Sequence, residues 1–211
     1  RGDPPRGVVP DGFVAFSGEA GGTSFACGFL MELEDGQRIG VSTAHASRPM
    51  LPDETAQFFS PDGALAAQLN GQIERGSTFR QDHFTMDYAL WSVAGGVPEE
   101  RFLQPDSRGA GQPGERIVVY GRFTGPQGGS RRWPGVVMRV DAEATYIQLD
   151  EVVMPYGFSG CPVVSQYTGR VIGMAVAGWK RAPTRMGVHP IGSLVEKARA
   201  AARETARETA R

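Results

Sequence analysis

The chain has few cysteines, almost no net charge and no long apolar run, and each shortage excludes a class of protein. Two cysteines in 211 residues are too few for the disulfide framework of a small secreted domain. A net charge of −1 provides no basic face for nucleic acid, so we expect no nucleic-acid partner. No apolar run approaches the roughly 20 residues of a membrane-spanning helix, so we expect no membrane partner.

Ligand sets for metals and phosphates are also missing from the sequence. The three histidines are scattered and the cysteines are not paired in sequence, so no zinc site is expected. The glycine-rich segment 125–129 lacks the lysine of a P-loop, which argues against phosphate binding. The sequence therefore predicts no metal and no cofactor. Its first residues, Arg1-Gly2-Asp3, show no signal-peptide pattern, and the cellular compartment stays open.

Glycine and proline, in contrast, are abundant. The 29 glycines and 15 prolines make up about a fifth of the chain, against an average of about 12%. With 40% apolar residues, this composition indicates many turns between short strands rather than disorder. The length suits one domain or two small ones with a core of their own.

A serine lies in a glycine-rich turn within residues 155–164, PYGFSGCPVV. Gly157 permits backbone conformations that are closed to other residues, so the amides of Gly157 and Ser159 can converge and form an oxyanion hole. The β-branched residues that follow predict a strand. The elbow of an α/β-hydrolase needs a glycine in place of Cys161 and a helix after the serine. That class therefore remains only a minor alternative.

A serine hydroxyl needs a base to take its proton, and the base needs a carboxylate to orient it. His45 follows a predicted strand at 37–43, and Asp87 opens another at 88–93. We therefore take His45, Asp87 and Ser159 as the candidate catalytic residues. The other two histidines, His83 and His189, are interpreted as structural.

The segments around these three residues resemble those of chymotrypsin-fold (trypsin-like) serine proteases. The sequence STAHA around His45 is similar to the family's T-A-A-H, MDYAL around Asp87 to D-x-A-L, and GFSGCP around Ser159 to G-x-S-G-G-P. The resemblance covers residues 12–199 in order. It implies that His45 is general base and then acid, that Asp87 orients it and that Ser159 attacks. The amides of Gly157 and Ser159 would bind the oxyanion.

Two positions depart from the family pattern. Phe158 stands where secreted digestive members have the aspartate that binds a newly freed N-terminus, so activation of that kind is not expected. Cys161 stands where the family usually has its second glycine. Both changes alter the turn that aims the amides. They motivate the alternative function, a catalytically silent protease-fold module that binds proteins.

The resemblance implies an all-β fold of two six-stranded antiparallel Greek-key β-barrels followed by a C-terminal α-helix. The expected segments are an N-terminal arm (1–11), a first barrel (12–95), a linker (96–115), a second barrel (116–192) and a C-terminal helix (193–211). Along the chain we expect a first strand at 13–16, a turn at Asn70-Gly71 and a basic loop at 179–185. Ser193 and Glu196 form a capping-box pattern at the start of the helix.

The resemblance also implies a pocket for the substrate side chain that precedes the cut bond. None of its residues carries a charge, so we expect a preference for an apolar side chain; the residues are Val153, Met154, Val176, Ala177, Gly178 and Gly187.

The two cysteines allow two interpretations. The favoured one is a pair of buried thiols, and the fold implied by the resemblance adds a Cys27–Cys161 disulfide as the alternative.

The function expected from these residues is that of a serine endopeptidase with a polypeptide substrate. The C-terminus repeats arginine, glutamate, threonine and alanine at 203–206 and 207–210, which predicts a solvated helical extension. The alternative for this helix is a junction with a fused or neighbouring domain.

Overall fold

Short apolar segments separated by glycine turns form thirteen strands and one long helix in the described part of the chain. The computed structural model describes residues 14–51, 53–123, 129–153 and 157–209. The predicted N-terminal arm lies outside the described residues. Twelve of the strands form two closed barrels of six, and the remaining short strand is added to the sheet of the first barrel.

In the first barrel, the segment after the third strand lies beside the segment before the sixth strand. Its neighbours follow the order β1-β4-β5-β6-β3-β2, and β1 also pairs with β2 to close the barrel. The pairing of β3 with β6 sets Ser42 opposite Ala89. The loop after β3 therefore meets the loop before β6, where the two candidate residues His45 and Asp87 lie. The strands are β1 (Phe16–Ala20), β2 (Thr23–Glu32), β3 (Arg38–Ser42), β4 (Ala56–Phe59), β5 (Leu65–Arg75) and β6 (Ala89–Val93).

The second barrel repeats this topology and carries the serine turn. Its order, β10-β13-β12-β11-β8-β9, matches the Greek-key order of the first barrel. The serine turn lies directly before β11, which pairs with β8 and β12. Its strands are β8 (Arg116–Phe123), β9 (Gly129–Val140), β10 (Thr145–Leu149), β11 (Pro162–Ser165), β12 (Val171–Trp179) and β13 (Ala182–Pro190).

One apolar core joins the two barrels. A single buried cluster includes Phe29 and Leu90 from the first barrel and Val119 and Val163 from the second. A second cluster, around Phe58, lies within the first barrel alone. The barrels therefore pack through continuous apolar contact, and the segments that carry the candidate residues lie along their junction.

The helix α1 (Ile191–Thr209) follows the second barrel and packs against strands of both barrels. Ile191, Leu194, Ala198 and Ala201 are buried, at the three- and four-residue spacing of one helix face. The helix begins two residues before Ser193, and the Ser193 hydroxyl contacts His189 at 3.0 Å. The predicted capping box is therefore wrong as the start of the helix. Within the described residues, no helix combines the length and apolarity needed to cross a membrane.

Several local predictions differ from the structure. The first strand begins at Phe16 rather than at residue 13, which lies outside the described residues. Asn70-Gly71 lies inside β5 at an irregularity in its pairing with β6, so the predicted turn is wrong. The predicted loop 179–185 is a hairpin in which Trp179 pairs with Ala182.

The segment predicted as a linker contains a 3-10 turn, Glu99–Arg101, and a short strand, β7 (Phe102–Leu103), that lies parallel to β2. These additions leave the two closed barrels and the C-terminal helix as predicted, so the expected fold class is confirmed.

Candidate active site

The structure brings the imidazole of His45 against the carboxylate of Asp87, which is fully buried. Asp87 Oδ2 lies 2.6 Å from His45 Nδ1, and Oδ1 accepts the backbone amides of Ala44 at 2.6 Å and His45 at 3.1 Å. The amide of Phe79 donates to Oδ2 at 3.3 Å. These donors compensate the burial of the negative charge. Because an ionised carboxylate can only accept, His45 Nδ1 carries the proton of this bond.

The hydroxyl of Ser159 completes the chain of hydrogen bonds. His45 Nε2 lies 2.8 Å from Ser159 Oγ, within the distance at which a base can take a proton. In the neutral imidazole with its proton on Nδ1, Nε2 is the acceptor and the serine hydroxyl donates. The carbonyl of Val176 lies 3.3 Å from the same oxygen. The His45 side chain is 27% exposed, so a molecule in solution can reach the histidine–serine pair.

The serine turn has the backbone geometry that its glycines predict. Gly157 and Gly160 have φ angles of +88° and +93°, in the left-handed region that favours glycine. The amide of Gly160 donates to the carbonyl of Ala175 at 2.8 Å, which fixes the turn to β12. The amides predicted to form an oxyanion hole, those of Gly157 and Ser159, belong to this turn.

Both residues that depart from the family pattern are buried. Phe158 is 3% exposed, and its ring packs edge-on against Trp133 with a centroid distance of 5.7 Å. Cys161 points inward, with its sulfur 3.8 Å from the carbonyl oxygen of Gly157. Cys27 and Cys161 are both buried thiols, so the disulfide alternative is wrong.

The residues predicted to line the substrate pocket lie in different surroundings. Val153 and Val176 are buried, while Gly178 is exposed. Ala177 is half-buried on β12, and Met154 lies outside the described residues.

Gly187, the last of the predicted pocket residues, faces the first barrel. A Cβ atom there would lie 2.3 Å from the ring of Phe84, which belongs to the 3-10 turn Phe84–Met86. The missing side chain of Gly187 thus makes room for this aromatic ring.

His189 lies behind Asp87 and contacts the backbone of the site. Its Nδ1 donates to the carbonyl of Asp87 at 3.2 Å, and its Nε2 accepts the hydroxyl of Ser193 at 3.0 Å. Burial lowers the pKa of His189 to about 4, with the nearby charge of Lys197 acting in the same direction. The ring is therefore neutral near pH 7.

Arg75, the last residue of β5, belongs to the site although no sequence pattern predicts it. Its guanidinium donates to the carbonyls of Ala44 at 2.7 Å and Ser47 at 2.9 Å, on both sides of His45. No motif surrounds Arg75 in sequence, and only the pairing of β5 with β6 places it here.

No group of three or more histidine, cysteine, aspartate or glutamate side chains could hold a metal ion within the residues that the structure describes. His83 instead pairs with Glu143, and both side chains are about half-exposed.

Neither the protein-family models nor the curated proteins include a match to this chain. Solved structures do match. An inactive mutant form of Rv3671c from M. tuberculosis H37Rv is 13% identical with a TM-score of 0.59, over 90% of this chain and 86% of that chain. The serine endoprotease from Yersinia pestis is 13% identical with a TM-score of 0.66, over 92% of this chain and 64% of that one.

Kallikrein-related peptidase 10, in a complex with Zn²⁺, is 18% identical with a TM-score of 0.63, over 93% of this chain and 98% of that chain. At such identities, structural similarity shows the fold alone. The chain itself has the two closed barrels and the C-terminal helix that its sequence predicts. The chain therefore has the double-barrel fold of the chymotrypsin-like (trypsin-like) serine proteases.

Proposed function

We propose that the protein is a serine endopeptidase that hydrolyses peptide bonds through Ser159, His45 and Asp87. The observation that carries the proposal is the unbroken chain of contacts from hydroxyl to imidazole to carboxylate, at 2.8 Å and 2.6 Å. A hydroxyl held by a neutral imidazole, which is itself oriented by a buried carboxylate, is an activated nucleophile.

The reaction proceeds in two acyl-transfer steps. Ser159 Oγ forms a bond to the carbonyl carbon of the substrate while its proton passes to His45 Nε2. The imidazolium then protonates the leaving amine, the carbon–nitrogen bond breaks and an acyl-enzyme remains. Water attacks the ester with His45 again as base, and the proton returns to Ser159 as the acid product leaves.

Two features of the site stabilise the charges that form. The carboxylate of Asp87 holds the tautomer of His45 and stabilises the imidazolium. The amides of Gly157 and Ser159 would donate to the developing oxyanion, and one such donor is worth about 3 kcal/mol of transition-state stabilisation. The left-handed conformation of Gly157 supports this role for the turn.

The proposed specificity is for an apolar side chain before the cut bond. The five described residues predicted for the pocket are Val153, Val176, Ala177, Gly178 and Gly187, and none carries a charge. An apolar pocket discriminates by about 1–3 kcal/mol per methylene group, so a graded preference is expected.

A protease-fold module without catalysis is the alternative outcome. The inward orientation and complete burial of Cys161 argue against it, because the side chain that replaces glycine is accommodated beneath the turn.

A fluorophosphonate probe tests for the activated serine. We expect stoichiometric labelling of Ser159 in the native protein, measured by intact mass and peptide mapping. Labelling should be lost in Ser159→Ala and His45→Ala and retained in His83→Ala, because His83 lies outside the hydrogen-bond chain. A folded native protein that does not react would support the binding module instead.

Cleavage of a peptide library tests the specificity. We expect cleavage after apolar residues, with Ser159→Ala as the inactive control. A strict preference for arginine or lysine before the cut bond would contradict the assigned pocket.

A further inference from the structure

Arg75 binds the loop that carries His45 through backbone carbonyls and one side chain of that loop. Its Nη2 donates to the carbonyls of Ala44 at 2.7 Å and Ser47 at 2.9 Å, and its Nη1 donates to the Ser47 hydroxyl at 3.0 Å. The Ser47 hydroxyl in turn donates to the carbonyl of Thr43 at 2.9 Å. One rigid guanidinium thus ties together residues before and after His45.

The same loop is held from its other side by Asp87. The amides of Ala44 and His45 donate to Asp87 Oδ1, while the carbonyl of Ala44 accepts from Arg75. Ala44 therefore bridges the carboxylate and the guanidinium. A shift of the loop in either direction would break hydrogen bonds on one side.

The position of Arg75 is fixed by the sheet. It is the last residue of β5 and pairs with Ala89 at the start of β6, two residues after Asp87. Its guanidinium is always charged. Burial lowers the pKa of Arg75, and the negative charge of Asp87 acts in the opposite direction. The positive charge of Arg75 thus lies close enough to Asp87 for the two groups to attract each other.

We propose that Arg75 is a positioning residue for the proposed peptidase reaction. It sets the distance and angle of the His45 imidazole between Asp87 and Ser159. It acts through the loop 43–47 and touches no reacting atom. This inference depends on the proposed function for its kinetic consequence, whereas its structural consequence for His45 can be measured in a protein without activity.

Three variants separate positioning from folding. Arg75→Met removes the donors and the charge, whereas Arg75→Lys keeps the charge but replaces the planar fork by a single ammonium group. Arg101→Met is the matched control, because Arg101 also donates to a backbone carbonyl of the first barrel, that of Ala66 at 2.6 Å, but contacts another segment.

The kinetic result expected is a loss in kcat with little change in KM. A misplaced catalytic group can cost about 100-fold, so we expect Arg75→Met to lower kcat and the labelling rate of Ser159 by about tenfold to 100-fold. Arg75→Lys should recover part of this loss. Arg101→Met should lower thermal stability as Arg75→Met does, but leave kcat unchanged.

Proton NMR provides a measurement that needs no turnover. The Nδ1 proton of His45 is hydrogen-bonded to the carboxylate of Asp87. It should give a far-downfield signal in the native protein and in Arg101→Met. We expect the signal to broaden or move upfield in Arg75→Met and to return in part in Arg75→Lys.

The outcomes distinguish the two proposals. If the native protein does not label or cleave, the proposed function fails, and the NMR signal alone decides whether Arg75 positions His45. If Arg75→Met is folded and keeps the native signal, the positioning role is wrong. If the native protein is active and Arg75→Met has the same kcat, the positioning role is also wrong.

Discussion

At Gly160 the turn that carries Ser159 comes into direct contact with the first barrel. A Cβ atom there would lie 2.1 Å from the carbonyl oxygen of Cys27 and 2.7 Å from the hydroxyl of Ser42. The Ser42 hydroxyl donates to the same carbonyl at 2.7 Å. The absence of a side chain at one residue therefore allows the barrels to approach where the hydroxyl of Ser159 must meet His45.

We expect Gly160→Ala to reduce both stability and serine reactivity. The methyl group would clash with backbone atoms, and the alanine would have to adopt a left-handed backbone conformation. Together these effects should cost at least about 2 kcal/mol in the free energy of unfolding. Urea unfolding and fluorophosphonate labelling measure the two effects.

Gly63→Ala is the control for this substitution, because Gly63 has a φ of +84° and open space around its Cβ position. Its strain should cost about 1 kcal/mol and leave labelling unchanged. Equal effects of the two substitutions would show that contact with Cys27 is unimportant.

The end of β13 and the start of α1 are joined to the site through His189. The ring donates to the backbone of Asp87 and accepts from Ser193, and its neighbour Tyr88 packs edge-on at 5.9 Å. The ammonium nitrogen of Lys197 lies over the ring of Tyr88, 4.6 Å from its centroid. The first two turns of the helix therefore support the strand that begins after Asp87.

We expect this element to make the stability of the protein depend on pH. The pKa of His189 is lowered to about 4 in the folded protein, whereas an exposed histidine titrates near pH 6.5. Between these values the unfolded chain binds a proton that the folded chain does not, so stability falls as the pH decreases from 6.5 to 4. The loss approaches about 3 kcal/mol.

Urea unfolding across this pH range measures the effect. His189→Gln should remove this contribution to the slope, while His83→Gln, which changes a half-exposed ring, should retain it. The same slope in His189→Gln and the native protein would contradict the role assigned to His189.

The two barrels form one cooperative structure at the scale of the whole molecule. The larger buried cluster runs through both barrels and includes Leu194 and Ala198 of α1. Because removing one barrel would expose the apolar surface of the other, we expect a single unfolding transition despite the two-part architecture.

The three tryptophans allow this to be measured. Trp91 belongs to the first barrel, and Trp133 and Trp179 belong to the second. Fluorescence reports on the second barrel in Trp91→Phe and on the first barrel in the Trp133→Phe/Trp179→Phe double variant. Within each variant, we expect the urea midpoint from fluorescence to coincide with the midpoint from far-ultraviolet circular dichroism, which reports on both barrels. Fluorescence and circular dichroism midpoints that differ within one variant would show that the barrels unfold independently.

Local patterns predicted the strands well where burial agrees with them and failed where tertiary pairing overrides a turn signal. Asn70-Gly71 is a favoured hairpin turn in sequence, yet Leu69 pairs with Val93 and Gly71 with Ser92, which keeps the pair inside β5 as an irregularity. The segment 179–185 contains three basic residues, but both of its ends pair in one hairpin. Long-range pairing outweighed the local turn signal at Asn70-Gly71, whereas the pairing of Trp179 with Ala182 is itself local.

The sequence by itself determined the strand-rich composition and the glycine conformations of the serine turn, because these depend on residue types and on residues close together in the chain. The order of histidine, aspartate and serine is likewise a property of the chain and needs no folding. Only the tertiary structure decided that Arg75 holds the loop of His45 and that His189 lies behind Asp87. It also decided that Phe84 fills the space beside Gly187. Such contacts join residues far apart in sequence, and they arise only when both barrels close and pack against each other.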